Sequence, residues 1–422
     1  MELRFDNQTV IALARHYGTP LYVYDQATLE KSAQGLLNFP NAFGLTVRYA
    51  MKALPTAAIL RIIDQAGLHI DASSQNEVER AMKAGIKPSK IQLTSQELPH
   101  NMLHLLLQMG VKFNACSLRQ LEAFGQLMKD GPRDHRCLSV RINPGLGSGG
   151  SNRTNVGGPS SSFGIWHEQI PQVLKMAKHF GLKITAVHTH IGSGGDPEIW
   201  VKIAKMSLEV AKHFPDATTL NLGGGLKIGR MPEEKTANLQ AVGEAVKQAF
   251  KYFEATTRRQ LHLEIEPGTY VVASAGWIIA KVIDVVNTGA DGYTFVKLDT
   301  GMGEILRPSL YGAQHPIWFV PKATWHDDQT LIPIMVVGHC CESGDILTPK
   351  PGNSEELQPR MLPKPQIDDL AVIGHTGAYC SSMATTGYNS FTQAAEVLIK
   401  PDGNSTLIRR GQTLEQLTEN EL

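Results

Sequence analysis

The chain has 422 residues, more than one ordinary hydrophobic core accommodates, so two domains are expected. Its apolar content of 42% is that of a globular protein, and 40 acidic residues balance 40 basic ones. That balance argues against a nucleic-acid or acidic-membrane partner and leaves any charge selectivity to a local site.

In chain order, a first short strand is expected at Leu21–Asp25. From about residue 28, β-branched runs alternate with amphipathic stretches, the signature of a parallel sheet with crossover helices. Eight strands are predicted: Leu45–Met51, Leu68–Ala72, Lys90–Thr94, Val111–Ala115, Cys137–Asn143, Ile184–Ile191, Thr219–Gly223 and His262–Glu266. The stretch Asn238–Phe253 is the clearest helix between them. There Leu239, Val242, Val246, Ala249, Phe250 and Phe253 recur at helical spacing. Eight such units occupying about 250 residues predict a closed (β/α)8, TIM-like barrel over 28–270.

Beyond residue 270 the periodicity changes. Trp277–Val286, Tyr293–Asp299, Leu331–Gly338, Asp369–Gly374, Val397–Ile399 and Thr406–Arg409 read as strands separated by turn sequences. They predict a second, antiparallel β domain made of 1–27 and 271–422. The glycine- and serine-rich run Gly145–Ser162 interrupts the barrel as a long loop, a class of segment that is functional or disordered.

Five cysteines, at 116, 137, 340, 341 and 380, lack C-x-x-C spacing, so neither a disulfide framework nor a metal site is expected. Residues 1–18 carry no apolar signal core, and no stretch is long enough to span a bilayer. A cytoplasmic protein with no membrane partner is the expectation.

Reactive side chains collect at one end of the predicted barrel strands. These are Lys52, Asp71, Ser95, Asn114, Arg141 with Asn143, His188 with His190, Gly223–Gly225 and Glu266. Active sites of this architecture are built at that C-terminal face. Singly, each has a plainer reading: a solvated strand-end lysine, a tight glycine turn, a loop Glu-Pro-Gly, a core histidine. Together, a lysine able to bind a carbonyl, an anion-cradling glycine turn and a carboxylate able to meet a ring nitrogen are what pyridoxal 5'-phosphate requires.

At these residues the sequence resembles the diaminopimelate decarboxylase family of fold-type III pyridoxal-phosphate enzymes. Tyr49-Ala-Met-Lys-Ala53 is similar to the family's Y-A-x-K-A, which implies that Lys52 binds the cofactor. Val187-His-Thr-His-Ile-Gly-Ser193 resembles H-x-H-I-G-S, implying that His190 stacks on the ring and Ser193 helps hold it. Gly223, Gly224 and Gly225 match the phosphate-binding G-G-G, and Glu266-Pro-Gly268 matches the E-P-G whose glutamate meets the ring nitrogen. Asp71 is counted with this cofactor-binding set.

In the second domain, Arg307-Pro-Ser-Leu-Tyr311 resembles R-P-x-L-Y, implying that Arg307 and Tyr311 bind a substrate carboxylate. Cys341-Glu-Ser-Gly-Asp345 resembles C-E-S-x-D, which in the family comes from the neighbouring subunit. There Cys341 would be catalytic and Glu342 would meet the distal amino group. Gly377-Ala-Tyr379 matches G-A-Y, so Tyr379 is assigned to the phosphate and the substrate.

The resemblance spans about Pro20 to Val397 and implies an alanine racemase-like two-domain architecture and a homodimer with shared active sites. The implied reaction is decarboxylation of meso-diaminopimelate to L-lysine. Four motifs depart from the family pattern: Thr269 replaces the arginine after E-P-G, Leu54 an asparagine, Ser161-Ser162 the serine-lysine pair, and Phe391-Thr392 the arginine-proline of Y-N-x-R-P. Arg153 and Arg141 are the candidates to replace a missing basic group. A decarboxylase of ornithine, lysine or arginine, L or D, a racemase, and a non-catalytic pyridoxal-phosphate-binding homologue are the alternatives.

Overall fold

The computed structural model describes residues 3–98, 103–129, 136–147, 156–190, 192, 196–322 and 330–422. The chain divides into two compact units. One comprises Glu30–Ile228 and Lys235–Val271, the other Met1–Leu29, Gly229–Glu234 and Val272–Leu422.

The first unit is a closed parallel barrel. Its strands are Leu45–Ala50, His69–Ala72, Ile91–Leu93, Lys112–Ala115, Cys137–Asn143, Lys183–His188, Thr219–Asn221 and His262–Ile265. Each pairs in parallel with its neighbour in sequence. The last pairs back onto the first through Leu263↔Leu45 and Ile265↔Val47, which leaves no free edge. A two-residue strand, Ile165–Trp166, lies beside the fifth.

Local sequence starts the crossover helices. Ser74 accepts a hydrogen bond from the Glu77 amide at 3.1 Å, and Glu77 in turn accepts one from the Ser73 amide at 2.6 Å. Ser117 and Gln120 repeat the device, with the Cys116 amide donating to the Gln120 side chain at 2.7 Å. Both are reciprocal caps placed directly after a strand, so each strand end opens into a helix at a set angle. In helix Leu239–Thr257 the predicted apolar stripe is the buried one.

Low in the barrel, Arg48 is fully buried and forms a two-point pair with Glu264, Nε to Oε2 at 3.0 Å and Nη2 to Oε1 at 2.7 Å. Glu264 and Glu266 lie two residues apart on the last barrel strand and its continuation, so their side chains take the same face. The arginine pair therefore neutralises the lower of two buried acids, and the upper one is left to the site.

The second unit is built on a sheet of mixed direction. Gly276–Asn287, its longest strand, pairs antiparallel with Leu21–Asp25, Thr294–Leu298 and Leu370–Ile373. Two pairings are parallel, Leu21–Asp25 with Ala395–Ile399 and Thr294–Leu298 with Leu331–Val337, so the domain is mostly rather than wholly antiparallel. Its core joins Leu21, Val23, Trp277, Ile279, Val372 and Val397 to Val10 and Leu13 of helix Asn7–Tyr17. That helix is capped by Asp6, which accepts from the Thr9 amide at 2.7 Å. Among the described residues no helix is long and apolar enough to cross a membrane.

Removing one member of a buried ion pair strands the other. Glu264→Ala is expected to cost the barrel about 3–5 kcal/mol, while Arg48→Met with Glu264→Leu costs much less. Denaturant unfolding followed by barrel tryptophan fluorescence measures both, and an equal loss in the single and double variants would count against this account.

Candidate active site

In the barrel unit, Glu266 is the point on which side chains converge. It is 6% exposed. Asn221 donates to its Oε1 at 2.6 Å and Gln92 to the same oxygen at 3.1 Å. His188 Nε2 stands 3.3 Å from Oε2. Asn114 donates to Nδ1 of His188 at 2.7 Å, which leaves the hydrogen on Nε2, facing the carboxyl. Burial, followed by the Arg141 and His190 charges, holds His188 well below its usual range, so this imidazole is neutral.

Burial raises the Glu266 carboxyl to about 8, and the Asp71 charge pushes in the same direction. Asp71 is itself raised by burial and lowered by the Lys52 charge. Lys52 follows the first strand in the short turn Met51–Ala53, and its side chain is exposed. Its charge acts on Asp71, Glu266, His188 and His190, so the structure gathers these predicted residues around one lysine.

The glycine turn is required by packing as well as by any anion. Gly223 and Gly225 have φ of 72° and 104°. A Cβ on Gly223 would lie 2.6 Å from the His190 ring, and one on Gly224 would lie 2.3 Å from the Glu266 carbonyl oxygen. Asn221 accepts from the Gly223 amide at 2.8 Å, and the Glu266 amide donates to the Gly223 carbonyl at 2.8 Å. The turn thus ties the seventh strand end to the eighth.

Other predicted residues serve different ends. Asn143 pins its loop, donating to the Gly158 carbonyl at 3.0 Å and accepting from the Gly158 amide at 2.9 Å. Arg141 lies over the Phe163 ring at 5.2 Å. Ser193, Arg153 and the middle of the Gly145–Ser162 loop lie outside the described residues.

In the second unit, Arg307 opens the short helix Arg307–Tyr311, with its guanidinium over the Tyr311 ring at 5.8 Å. Asp345 shapes the cysteine loop by accepting from the amides of Met302 at 2.6 Å and Cys340 at 2.9 Å. Cys341 and Glu342 are exposed beside it. Asn389 accepts from the Cys341 amide at 2.7 Å, and the Tyr388 hydroxyl donates to Glu342 at 3.3 Å. Tyr379 has a left-handed φ of 57° and is half-buried.

The barrel set fits pyridoxal phosphate. Asp71 Oδ1, His190 Nδ1 and Ser95 Oγ are buried without a hydrogen-bond partner, so the nest offers polar atoms to a ligand. A carboxyl raised to about 8 is satisfied by a cationic N–H, which a protonated pyridine supplies. Sequence reasoning missed Gln92 and Asn221, which hold Glu266. Asn221 sits two residues before Gly223, a spacing that places a side chain over the turn, whereas Gln92 is signalled only by being a polar residue amid an apolar strand.

A raised carboxyl makes the cofactor-free protein less stable as pH rises. Glu266 binds a proton in the folded state from about 4.5 to about 8 that the unfolded chain has released. Folding stability is expected to fall across that window by up to about 1.4 kcal/mol per pH unit, and Glu266→Gln should flatten the slope. Chemical denaturation of the cofactor-free protein at pH 5, 6.5 and 8 tests this; parallel profiles for the two proteins would refute it.

Comparison with known proteins gives the same reading. Residues 29–273 match the pyridoxal-binding domain of the pyridoxal-dependent decarboxylases. A diaminopimelate decarboxylase of Streptomyces coelicolor is 34% identical, over 99% of this chain and 92% of its own length. A crystal structure of diaminopimelate decarboxylase superposes with a TM-score of 0.89 at 30% identity, covering 99% of this chain and 96% of that one. The Helicobacter pylori diaminopimelate decarboxylase complexed with L-lysine gives a TM-score of 0.83 at 26% identity, covering 97% and 98%. The chain therefore belongs to the pyridoxal-dependent decarboxylases and, among them, to the diaminopimelate decarboxylase family.

Proposed function

We propose that the protein decarboxylates meso-diaminopimelate to L-lysine with pyridoxal phosphate held by Lys52. The observation that carries this is the buried, doubly donated Glu266 carboxyl beside Asp71 and the Lys52 charge, in a barrel of the pyridoxal-binding family. The L-lysine complex of the H. pylori relative supports the product.

Pyridoxal phosphate, when bound, supplies an electron sink for the pair left behind as carbon dioxide departs. The Glu266 carboxylate would keep the ring nitrogen protonated, with Asn221 and Gln92 occupying one of its oxygens. His190, by the family match, would help hold the ring. The amides of Gly223–Gly225, with Tyr379 and, by the family match, Ser193, bind the phosphate. Arg307 and Tyr311 hold the carboxylate that is retained, the guanidinium by a two-point contact. Glu342 takes the distal ammonium. The Cys341 thiol, from a neighbouring subunit, would supply the proton for the carbon that has lost carbon dioxide and regain one from solvent, and the Lys52 amine would take back the cofactor as L-lysine leaves.

Cys341 and Glu342 are exposed on this chain, which supports their serving a neighbouring subunit in a homodimer with shared active sites. All five cysteines are free, in keeping with a cytoplasmic setting.

Carbon dioxide release from meso-diaminopimelate, ornithine, lysine and arginine, in L and D forms, tests the substrate. Preference for any of the last three would replace the assignment by a basic amino-acid decarboxylase, for which Thr269 speaks. Lys52→Ala should lose both the visible cofactor absorbance and turnover. Cys341→Ala should keep the absorbance and slow turnover by about 10²–10⁴-fold. Mixing the two variants should raise activity above that of either parent if sites are shared, and a mixture no more active than its parents would argue for self-contained subunits.

A further inference from the structure

One buried cation of the second unit belongs to none of the motifs. Arg230 lies in Gly229–Glu234 and is 9% exposed. Its Nε and Nη2 are buried without a hydrogen-bond partner. Glu234 accepts from the Arg230 backbone amide at 2.9 Å. Arg307 Nε is also buried and without a partner.

The two guanidiniums sense one another. Burial, and next the Arg307 charge, lower Arg230 to about 9, which leaves it charged at neutral pH. Among the described residues, the Glu234 charge opposes this shift but acts on Arg230 less than Arg307 does. His315 is held well below its usual range by burial and by both arginines, and its Nδ1 is engaged with the Gly374 carbonyl at 2.9 Å. Burial raises the Cys380 thiol to about 11, so it is no thiolate. A buried cation that feels a second, half-buried one, each keeping a buried N–H without a partner, is stabilised by an anion placed between them.

We infer that Arg230, with Arg307, binds the carboxylate that the substrate keeps, and so selects a dicarboxylic diamino acid over lysine or ornithine. This rests on the decarboxylase reading above. It also accounts for the basic group missing at Thr269: the chain supplies a second guanidinium from residue 230, a position that sequence comparison with the E-P-G block does not reveal. Arg230 is a specificity-determining residue, because it touches the end of the substrate that does not react.

The test uses the cofactor-loaded enzyme and two probes, meso-diaminopimelate in turnover and pimelate, the matching dicarboxylate without amines, in calorimetry. Arg230→Gln is expected to raise KM and weaken pimelate binding by about 30-fold or more, with kcat changed less than about threefold, because a buried charge loses its partner. Cofactor absorbance should be unchanged. Arg230→Lys keeps the charge but loses the planar fork, so it should recover part of the affinity and still raise KM about tenfold. Unchanged KM and pimelate affinity in a folded, loaded Arg230→Gln, or a loss confined to kcat, overturns the inference. Should that variant not fold, an Arg230→Lys enzyme with wild-type KM overturns it equally. If the wild type releases no carbon dioxide from meso-diaminopimelate, the substrate reading fails by itself. Pimelate titration then still decides: affinity lost in Arg230→Gln supports the anion site, and equal affinity or no binding to the wild type rejects it.

Discussion

Much of this molecule depends on how one carboxyl is kept in a place where water cannot reach it. Glu266 is buried, stands in the field of Asp71, and would on burial alone hold its proton near neutrality. Gln92 comes from the third barrel strand, Asn221 from the seventh, and His188 from the sixth. These strands are brought to one carboxyl only because the sheet closes on itself, with His188 in register with Asn221 and Leu263 with Leu45. Two donors on Oε1 and a neutral imidazole at Oε2 prevent the carboxyl from turning, and a cationic N–H arriving at it reverses its preference for the proton. Closure of the barrel and readiness for the cofactor are thus the same set of contacts.

The barrel was legible because its information is local and repeated. All eight predicted strands appear, seven within two residues of their predicted ends; the sixth, predicted to Ile191, ends at His188, and Ile191 itself lies outside the described residues. The reactive residues were legible because strand ends share a face of the barrel. Their partners were less so. Nothing near Gln92 in sequence says that it meets Glu266, 174 positions away. The glycine turn was read for its backbone amides, yet the structure adds a steric demand: His190 and the Glu266 carbonyl come so near that any Cβ at 223 or 224 collides. Such close approaches are products of long-range packing and leave no periodic mark.

The second unit was read less completely for reasons of length and edge position. Ile317–Val320 and Arg360–Pro363 are four-residue strands flanked or interrupted by proline, and the latter pairs on one side only. Helix Asn7–Tyr17 has a weakly amphipathic sequence, and only Val10 and Leu13 of it are fully buried. The cysteine block shows how tertiary context separates neighbours. Burial and Asp345 push the Cys340 thiol up to about 12, while Cys341, one residue on, is exposed. Glycines at 301 and 338 are needed there, because a Cβ on either would fall 2.3 or 2.1 Å from an Asp345 oxygen. The second cysteine is the more exposed of the two, and the aspartate that fixes the loop raises the thiol of the first.

Equal numbers of acidic and basic residues over the whole chain say nothing of where charge is buried. The barrel buries Asp71 and Glu266, two acids raised by their surroundings, and the second unit buries Arg230 against the charge of Arg307. Neither arrangement is favourable alone, since burial penalises the charged form and like neighbours repel. Both become favourable with a ligand that presents a cationic N–H to the first and a carboxylate to the second. A cofactor with a basic ring nitrogen and a substrate carrying an extra carboxylate satisfy these demands separately. Composition therefore conceals the selectivity, and a few buried groups with unmet polar atoms express it.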